Sequence, residues 1–319
     1  MPSGSILRAV IGIAISVAAL AVVLGGTDLA ETANVLSRAD LRWVALSVVL
    51  MSCDLGFRAL RWQRLLRPIA HVRYPPMLAY LLVGYLANNI LPARLGELVR
   101  SHYLGDREGI SRASALGTVV VERVVDLVAV VAIASVALLV LSVRGLVGNA
   151  VLVGAAVTGL FLVILGIGIV AHRLPGLDRI RAVAERYPRV RDLGQSLQDG
   201  LAVAARPRTL GEAILVSGLS WTMAILAYAA AGQAIGIQLS MGQAALIASG
   251  VALASAVPAG PSNLGTFEFA AKELGKAVGI EEASALALGV LVHVAILVVT
   301  SIGGAIAFAR LGWRRSSEA

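Results

Sequence analysis

The sequence predicts an all-α polytopic membrane protein of six full spans and two re-entrant helical hairpins, its halves related as an inverted repeat. Three observations lead there. Of the 319 residues, 58% are apolar and 14% charged, and the mean hydropathy is +0.85, far from the composition of a water-soluble domain. Six stretches approach about 20 mostly apolar residues, the length at which a helix crosses roughly 30 Å of hydrocarbon. Arginines gather in the segments beside those stretches, which orients them through the excess of basic residues on the cytoplasmic side.

In chain order the spans are Ile6–Leu24, Leu41–Leu60, Ala115–Leu141, Gly148–Ala171, Leu210–Gly232 and Ala283–Phe308. The first is too long for the apolar core of a signal peptide and no small-residue cleavage site follows it, so it reads as a retained span. Met77–Leu91 and Met241–Val257 are shorter, and each stops at a proline inside a glycine-rich, polar segment. The lone cysteine, Cys53, falls inside the second span without a partner for a disulfide or a metal site, and is expected as a small packed residue.

Arg58, Arg61, Arg64, Arg67 and Arg73 follow the start of the second span, a dense arginine run from Arg173 to Arg208 follows the fourth, and Arg310, Arg314 and Arg315 follow the last. All three groups belong in the cytoplasm, together with both termini. The connections at 25–40, 142–147 and 233–240 carry few basic residues and belong outside. Met77 then starts inside, and so must the span beginning at Ala115, so residues 77–114 enter and leave by one face. Residues 241–282 must likewise start and finish outside. Each is therefore a hairpin that dips in and turns back, breaking at Pro92 and at Pro258–Gly265. A full span after Pro92 is excluded by Arg94, Glu97, Arg100, Asp106, Arg107 and Glu108. Two halves result: 1–147 with its hairpin at 77–114, and 148–319 with a cytoplasmic loop at 172–209 and its hairpin at 241–282. With three crossings apiece they have opposite orientation, the plan in which broken helices of secondary transporters meet near the midplane and offer their termini to a substrate.

The candidate chemistry lies at the breaks. Pro92 removes a helical N–H and biases Leu91 out of helical geometry, while Gly96 permits a close turn. Irregular backbone at membrane depth is tolerated where protein or a wet cavity satisfies it, so Asn89, Arg94, Glu97 and Arg100 are expected around a cavity. Arg94, Glu97 and Arg100 recur at three-residue intervals on one helix face, and two cations against one anion suit a phosphate, which Arg94 can clasp with two donors. Glu97 either joins that site or pairs with an arginine to brace the hairpin. At the second break Pro258, Gly260 and Gly265 are the hinges, and Ser262 or Asn263 caps a helix beginning near Leu264, offering N–H groups to an anion, with Glu268 one turn further on. A plain external loop is the alternative.

Within the spans, Asp54 with Arg58, and Glu122, Arg123 and Asp126, are ionisable groups that cost about 2.5–3.5 kcal/mol each to insert, so they must pair or face a cavity. Arg123 is expected to meet Asp126 or Glu97. His293 occupies in the second half the place of Glu122 in the first, either carrying protons or acting as a hydrogen-bonded packing residue. The stripe Arg58, Arg61, Arg64 and Arg67, with Trp62 beside it, is expected to anchor among anionic headgroups. The chain carries no nucleotide-binding glycine loop, no metal-spaced His or Cys cluster and no nucleophilic triad, so neither cofactor nor metal is expected and ATP-driven pumping by this chain alone is excluded.

Three motifs occur in order: Asn89-x-x-Pro92-x-Arg94-x-Gly96-Glu97-x-x-Arg100, then Glu122-Arg123-x-x-Asp126, then Pro258-x-Gly260 with Leu264-Gly265-x-x-Glu268. In these the sequence resembles the flippase-like membrane domain of the lysylphosphatidylglycerol synthase (MprF-type) family, over nearly the whole chain. The resemblance implies movement of a lipid between leaflets. In that family a separate C-terminal domain makes an aminoacylated lipid; here the chain ends at Ala319, soon after its last span, so the expectation is a standalone translocator without lysyl transfer, served by a lipid-synthesising enzyme encoded separately. Standalone relatives are associated with other lipids, including polyprenyl-linked and hopanoid pathways. Pro261-Ser262-Asn263 departs from the more glycine-rich form usual in the third motif.

The expected function is thus a translocator of a phosphate-headgroup or polyprenyl-linked lipid in a bacterial or archaeal inner membrane, with membrane lipids rather than nucleic acid as partners. A transporter of a small soluble anion, an enzyme acting on a lipid phosphate and a non-transporting partner subunit are the rivals. A groove open sideways to lipid favours the lipid translocator, a closed aqueous vestibule the anion transporter. The parity argument predicts that single cysteines around Arg107 and around Lys272, on a Cys53→Ala background, react with an impermeant maleimide from opposite sides of the membrane. Labelling of both from the same side would break it.

Overall fold

A computed structural model describes residues 3–91, 95–143, 145–170, 188–256 and 260–316, and all regular structure among them is helical. The helices are α1 (Ser3–Gly26), α2 (Leu29–Ser37), α3 (Leu41–Leu66), α4 (Tyr74–Ile90), α5 (Gly96–Glu108), α6 (Arg112–Leu141), α7 (Leu146–Val170), α8 (Pro188–Leu201), α9 (Pro207–Ala234), α10 (Met241–Ala256), α11 (Thr266–Ala277) and α12 (Glu282–Ser316). Among the described residues five of them, α3, α6, α7, α9 and α12, are long and apolar enough to cross a membrane. The 24-residue α1 covers the first expected span.

Local chemistry sets the helix ends. Asp28 Oδ1 accepts from the N–H groups of Ala30 and Glu31 at 2.9 and 3.0 Å, starting the short α2 that the sequence reading left as a connection. Asp40 does the same for α3 through Arg42, at 2.8 Å. Pro75 and Pro76 fall in the first turn of α4, where a missing N–H costs no helical bond, and α5 stops at Gly109 with φ 66°.

At the centre α3 packs against α9. Ser47 Oγ donates to the Ala227 carbonyl at 3.0 Å, and Met51, Ala227, Tyr228 and Ala231 are buried. Small residues here let the backbones approach, which in lipid supplies the packing that the hydrophobic effect does not. Around this pair α4 packs on α12 and α10 on α6; α5 on α6 and α11 on α12; α3 on α4 and α9 on α10. Exchanging α3 with α9, α4–α5 with α10–α11 and α6 with α12 turns each of these contacts into its counterpart. The amphipathic α8 rests on α6, where Gly117 and Gly200 meet so closely that a Cβ on either would collide with the other's Cα, and Ser114 Oγ donates to the Ser196 carbonyl at 2.8 Å.

Both short apolar segments belong to antiparallel helix pairs. Tyr80 on α4 donates to Glu108 Oε1 at 2.7 Å towards one end of the α4–α5 pair, and Gly84 meets Gly96 towards the other. Asn88 Oδ1 closes that tip by accepting the Gly96 N–H at 2.7 Å. In the second pair Gln243 Nε2 donates to the Val278 carbonyl at 3.0 Å, and the Leu274 side chain fills the space over Gly250. Pro92, Arg94 and Pro258 lie outside the described residues.

Two sequence expectations change. Cys53 is exposed on the outer face of α3 instead of packed. Arg61 and Trp62 are fully buried, not interfacial, because the α3 face that carries them turns towards α6 and α9. A methyl group on Gly96 would overlap the Gly84 carbonyl oxygen, so Gly96→Ala is expected to cost about 1–3 kcal/mol, read as a fall in melting temperature of the detergent-solubilised protein. Gly159→Ala on α7, where the space is open, is the control and is expected to leave the melting temperature unchanged or raise it.

Candidate functional site

Asp54, Arg58 and Arg61 follow one another by four and three residues, which places them on one face of α3; Glu122 and Asp126 stand one turn apart on α6. The packing of α3 on α6 brings the two sets together. Arg61 is fully buried, its Nη2 3.0 Å from Glu122 Oε1 and its Nη1 2.9 Å from Asp126 Oδ1, and Nη1 also donates to Ser217 Oγ on α9 at 3.0 Å. Glu122 Oε2 is 2.8 Å from Nη1 of Arg100 on α5. The Arg100 guanidinium lies 4.7 Å over the Trp62 ring, and Trp62 in turn donates to Thr118 Oγ1 at 3.1 Å. Arg58 binds Asp54 through Nε at 2.8 Å, approaches Asp126 Oδ2 at 3.4 Å and sits 5.5 Å from the ring centre of Trp221, which donates to Asp126 Oδ1 at 3.2 Å. Ser220 donates to the other Asp54 oxygen. Four helices, α3, α5, α6 and α9, are thereby clasped through charge that would be too costly to bury alone.

In front of this network lies a cavity of about 550 Å³. Its charged lining is Asp54, Arg58, Glu97, Arg123 and Asp126; its other polar groups include Asn88, Asn89, Ser262, Asn263, His293 and Thr300; Leu, Val, Ala and Phe side chains make the rest. Arg123 is the loosely held cation. Its closest approaches to Glu97, Glu122 and Asp126 are each 3.8 Å, beyond hydrogen-bond length. Among the described residues Arg123 Nε and Glu97 Oε2 are buried without a hydrogen-bond partner, as are Arg61 Nε, both Nη atoms of Arg100, Glu122 Oε2 and Ser255 Oγ; of the charged ones, Arg123 and Glu97 line the cavity.

The second break closes the far side. Ser262 Oγ donates to the Asn89 carbonyl at the end of α4, at 3.0 Å, and Asn89 Nδ2 donates to Thr300 and Ser301 on α12 at 2.9 and 3.0 Å. His293 stands between Glu268 Oε1, 2.5 Å from Nδ1, and the Ser262 carbonyl, 2.9 Å from Nε2, with its ring stacked on Phe267. Gly265, at φ 85°, touches α1 at Ser16 and Leu20, and the Gly260 N–H donates to Ser16 Oγ at 2.9 Å.

The structure thus gathers Asn89, Glu97, Arg123, Asp54, Arg58, Asp126, Ser262, Asn263 and His293 on one cavity. It turns others away. Arg100 is 2% exposed and lies behind the cavity on Glu122, because α5 presses that face against α6. The helix at the second break starts at Thr266 with Gly265 as its N-cap, so neither Ser262 nor Asn263 caps it, and the cap's N–H is taken by Glu268 Oε2 of the same helix at 2.7 Å. Among the described residues four arginines, at 58, 61, 100 and 123, face four carboxylates, at 54, 97, 122 and 126; Arg94, on which the expected net positive site depends, lies outside them. Ser217, Ser220 and Trp221 escaped the sequence reading, which placed Arg61 at the membrane interface. The signal for them was available: Arg61 continues the face of Asp54 and Arg58, and 217, 220 and 221 share a face of α9.

A family model described as the lysylphosphatidylglycerol synthase TM region matches residues 9–304, which include every cavity residue named above. The chain belongs to this family. It is 27% identical over 330 residues to glycosyltransferase AglD of Haloferax volcanii, covering 92% of this chain and 53% of that protein. It is also 32% identical over 120 residues to a UPF0104 membrane protein of Methanothermobacter thermautotrophicus, covering 37% of this chain and 34% of that one. The chain therefore spans about half the length of the first of these relatives and a third of the second. No solved structure matches it. Family membership accounts for a multi-pass membrane protein; the buried charge is this chain's own geometry. Arg61→Ala would leave Glu122 and Asp126 short of a partner and is expected to cost about 3–5 kcal/mol, read as a large fall in melting temperature or loss of monodisperse protein. The exposed Cys53→Ala is the matched control.

Proposed function

We propose that the chain moves a lipid between leaflets, drawing the headgroup into the cavity between the two helix pairs while the lipid tail stays against apolar wall. The carrying observation is the incompletely paired Arg123 and Glu97 in a cavity whose remaining wall is mostly apolar. Arg123 clasps a headgroup phosphate with two donors, and Glu97 faces the cationic or hydroxyl part of the same headgroup. Arg94, outside the described residues, is the second candidate for the phosphate. Leu91, Val120 and Phe161 line the cavity and are each more than a third exposed, which favours sideways entry from lipid over a closed aqueous vestibule.

On this reading the α4–α5 and α10–α11 pairs are re-entrant hairpins of an inverted repeat, with both termini cytoplasmic. The exchange of helix contacts between the halves supports it, as does the meeting of the two breaks at Ser262 and Asn89. The chain acts as a carrier and not as an enzyme, taking its lipid from a synthetic enzyme. The glycosyltransferase relative favours a sugar-bearing or polyprenyl-linked phosphate among the candidate lipids.

Reconstitution with a panel of labelled lipids tests this. Arg123→Lys keeps the charge and loses the two-pronged geometry, so leaflet exchange of the preferred lipid is expected to fall about tenfold to a hundredfold, at unchanged insertion. Wild-type exchange in both Arg123→Lys and Arg123→Ala, at matched protein, would remove the headgroup clasp.

A further inference from the structure

We infer that Glu268 and His293 together form a proton-binding site that locks the two helix breaks to each other. The proton follows from hydrogen-bond geometry; its coupling to lipid movement rests on the translocation reading above.

His293 is 3% exposed, and both of its ring nitrogens face oxygen. Nε2 lies 2.9 Å from the Ser262 carbonyl, which only accepts, so Nε2 carries a hydrogen. Nδ1 lies 2.5 Å from Glu268 Oε1, and the second oxygen of that carboxyl is already accepting from the Gly265 N–H at 2.7 Å. One more hydrogen must therefore sit between Nδ1 and Oε1, on the ring if Glu268 is ionised and on the carboxyl if the ring is neutral. Either assignment gives the same count: the pair holds one proton beyond a neutral imidazole and a carboxylate.

Loss of that proton breaks a contact. With Nε2 still protonated, the Nδ1 lone pair would confront a carboxylate at 2.5 Å; if the remaining hydrogen moves to Nδ1, the Nε2 lone pair confronts the Ser262 carbonyl. Ser262 links the two breaks, because its hydroxyl donates to the Asn89 carbonyl at the end of α4. Ser262 and Asn263 have φ of 58° and 56°, a left-handed backbone that Asn adopts readily but that Ser holds chiefly where its surroundings favour it. The His293 bond is one of the contacts favouring it. The departing proton bonds to water in the cavity, which His293 lines.

The neighbourhood leaves this pair as the group that responds to pH. Helix α10 contains no titratable side chain, and neither do residues 13–26 of α1. On α11, Lys272 and Lys276 are paired with Glu282 of α12 and flank Glu273. Across the cavity stand Tyr85 on α4, Tyr228 on α9, Asp54 and Arg58 on α3, Glu97 on α5, and Arg123 and Asp126 on α6. Those carboxylates each lie beside a guanidinium, whereas Glu268 has a histidine, a side chain that can give up a proton where a guanidinium cannot. The lock contributes stability while the pair is protonated and loses it as pH rises through the titration of the pair.

The test uses the full chain, ¹⁵N-labelled at histidine, in lipid nanodiscs, with His293 resolved from the other three histidines by difference against His293→Gln. Between about pH 5 and 9 the wild-type His293 Nε2 is expected to be protonated at the acid end, and the Nδ1 signal to change in one step with a parallel fall in melting temperature. Glu268→Gln imitates the protonated acid, its amide donating to Nδ1 and its oxygen accepting from Gly265, so its melting temperature should lose that pH step. A wild-type Nε2 without hydrogen at the acid end, or a melting step retained in Glu268→Gln, would overturn the lock. In proteoliposomes the wild-type exchange rate should vary by up to about tenfold per pH unit across the titration, with Glu268→Gln flat at the acid value. A flat wild-type exchange profile would overturn the coupling, whereas no exchange at any pH, with the NMR and melting signatures intact, would strike the translocation reading and leave the proton lock standing.

Discussion

The structure depends on one buried guanidinium. Arg61 has no access to solvent, and its position is tenable because Glu122, Asp126 and Ser217 meet it from two other helices. That requirement fixes more than a pair. Once Glu122 has turned one oxygen to Arg61, its second draws Arg100 and with it α5; once Asp126 has turned to Arg61, it also receives Trp221 and lies near Arg58. The network therefore sets the relative rotation of α3, α5, α6 and α9. Apolar contact in lipid does this poorly, since one aliphatic face substitutes for another at little cost.

Behind such a rigid wall, the cavity retains charge that is not fully used. Arg123 sits on the same helix as Glu122 and Asp126, yet the best oxygens of both are committed to Arg61, Arg58 and Arg100, so it approaches three carboxylates at 3.8 Å without bonding any closely. The network thus leaves one arginine of the cavity wall without a close partner. On the opposite wall the polar groups are neutral or share a proton: Asn89, Thr300, Ser262 and the Glu268–His293 pair. On the proposed reading, a headgroup in this cavity would meet fixed charge on one side and, under the proposed lock, adjustable charge on the other. The two helix breaks touch each other across it through Ser262 and Asn89, so both hairpins bear on the same space.

Much of this was legible in the residues. The long apolar runs, Pro92 and the proline–glycine cluster at 258–265, and the ionisable groups within spans located the helices, the breaks and most of the cavity wall, because length, N–H loss and the cost of buried charge act locally. The pairing of Asp54 with Arg58 at a four-residue step was likewise a one-helix property. Arg100 and Arg61 were misplaced for the opposite reason. Each lies on a helical stripe that reads equally well as interface or site, and which neighbour the stripe meets is not written in its own periodicity.

The sequence by itself determined that this is a helical membrane chain with two interrupted segments and an unusual load of intramembrane charge, since those follow from composition, spacing and the thickness of a bilayer. The tertiary structure alone decided which charges are spent on one another. Arg61 and Arg100 went to Glu122, the N–H of Gly265 went to Glu268, and Arg123 kept its place on the cavity. Partner choice among four arginines and four carboxylates depends on the rotation of α3, α5 and α6 about their axes. That rotation is held by the charge network together with close contacts such as Gly84 with Gly96 and Ser47 with Ala227, whose residues carry no charge to announce them.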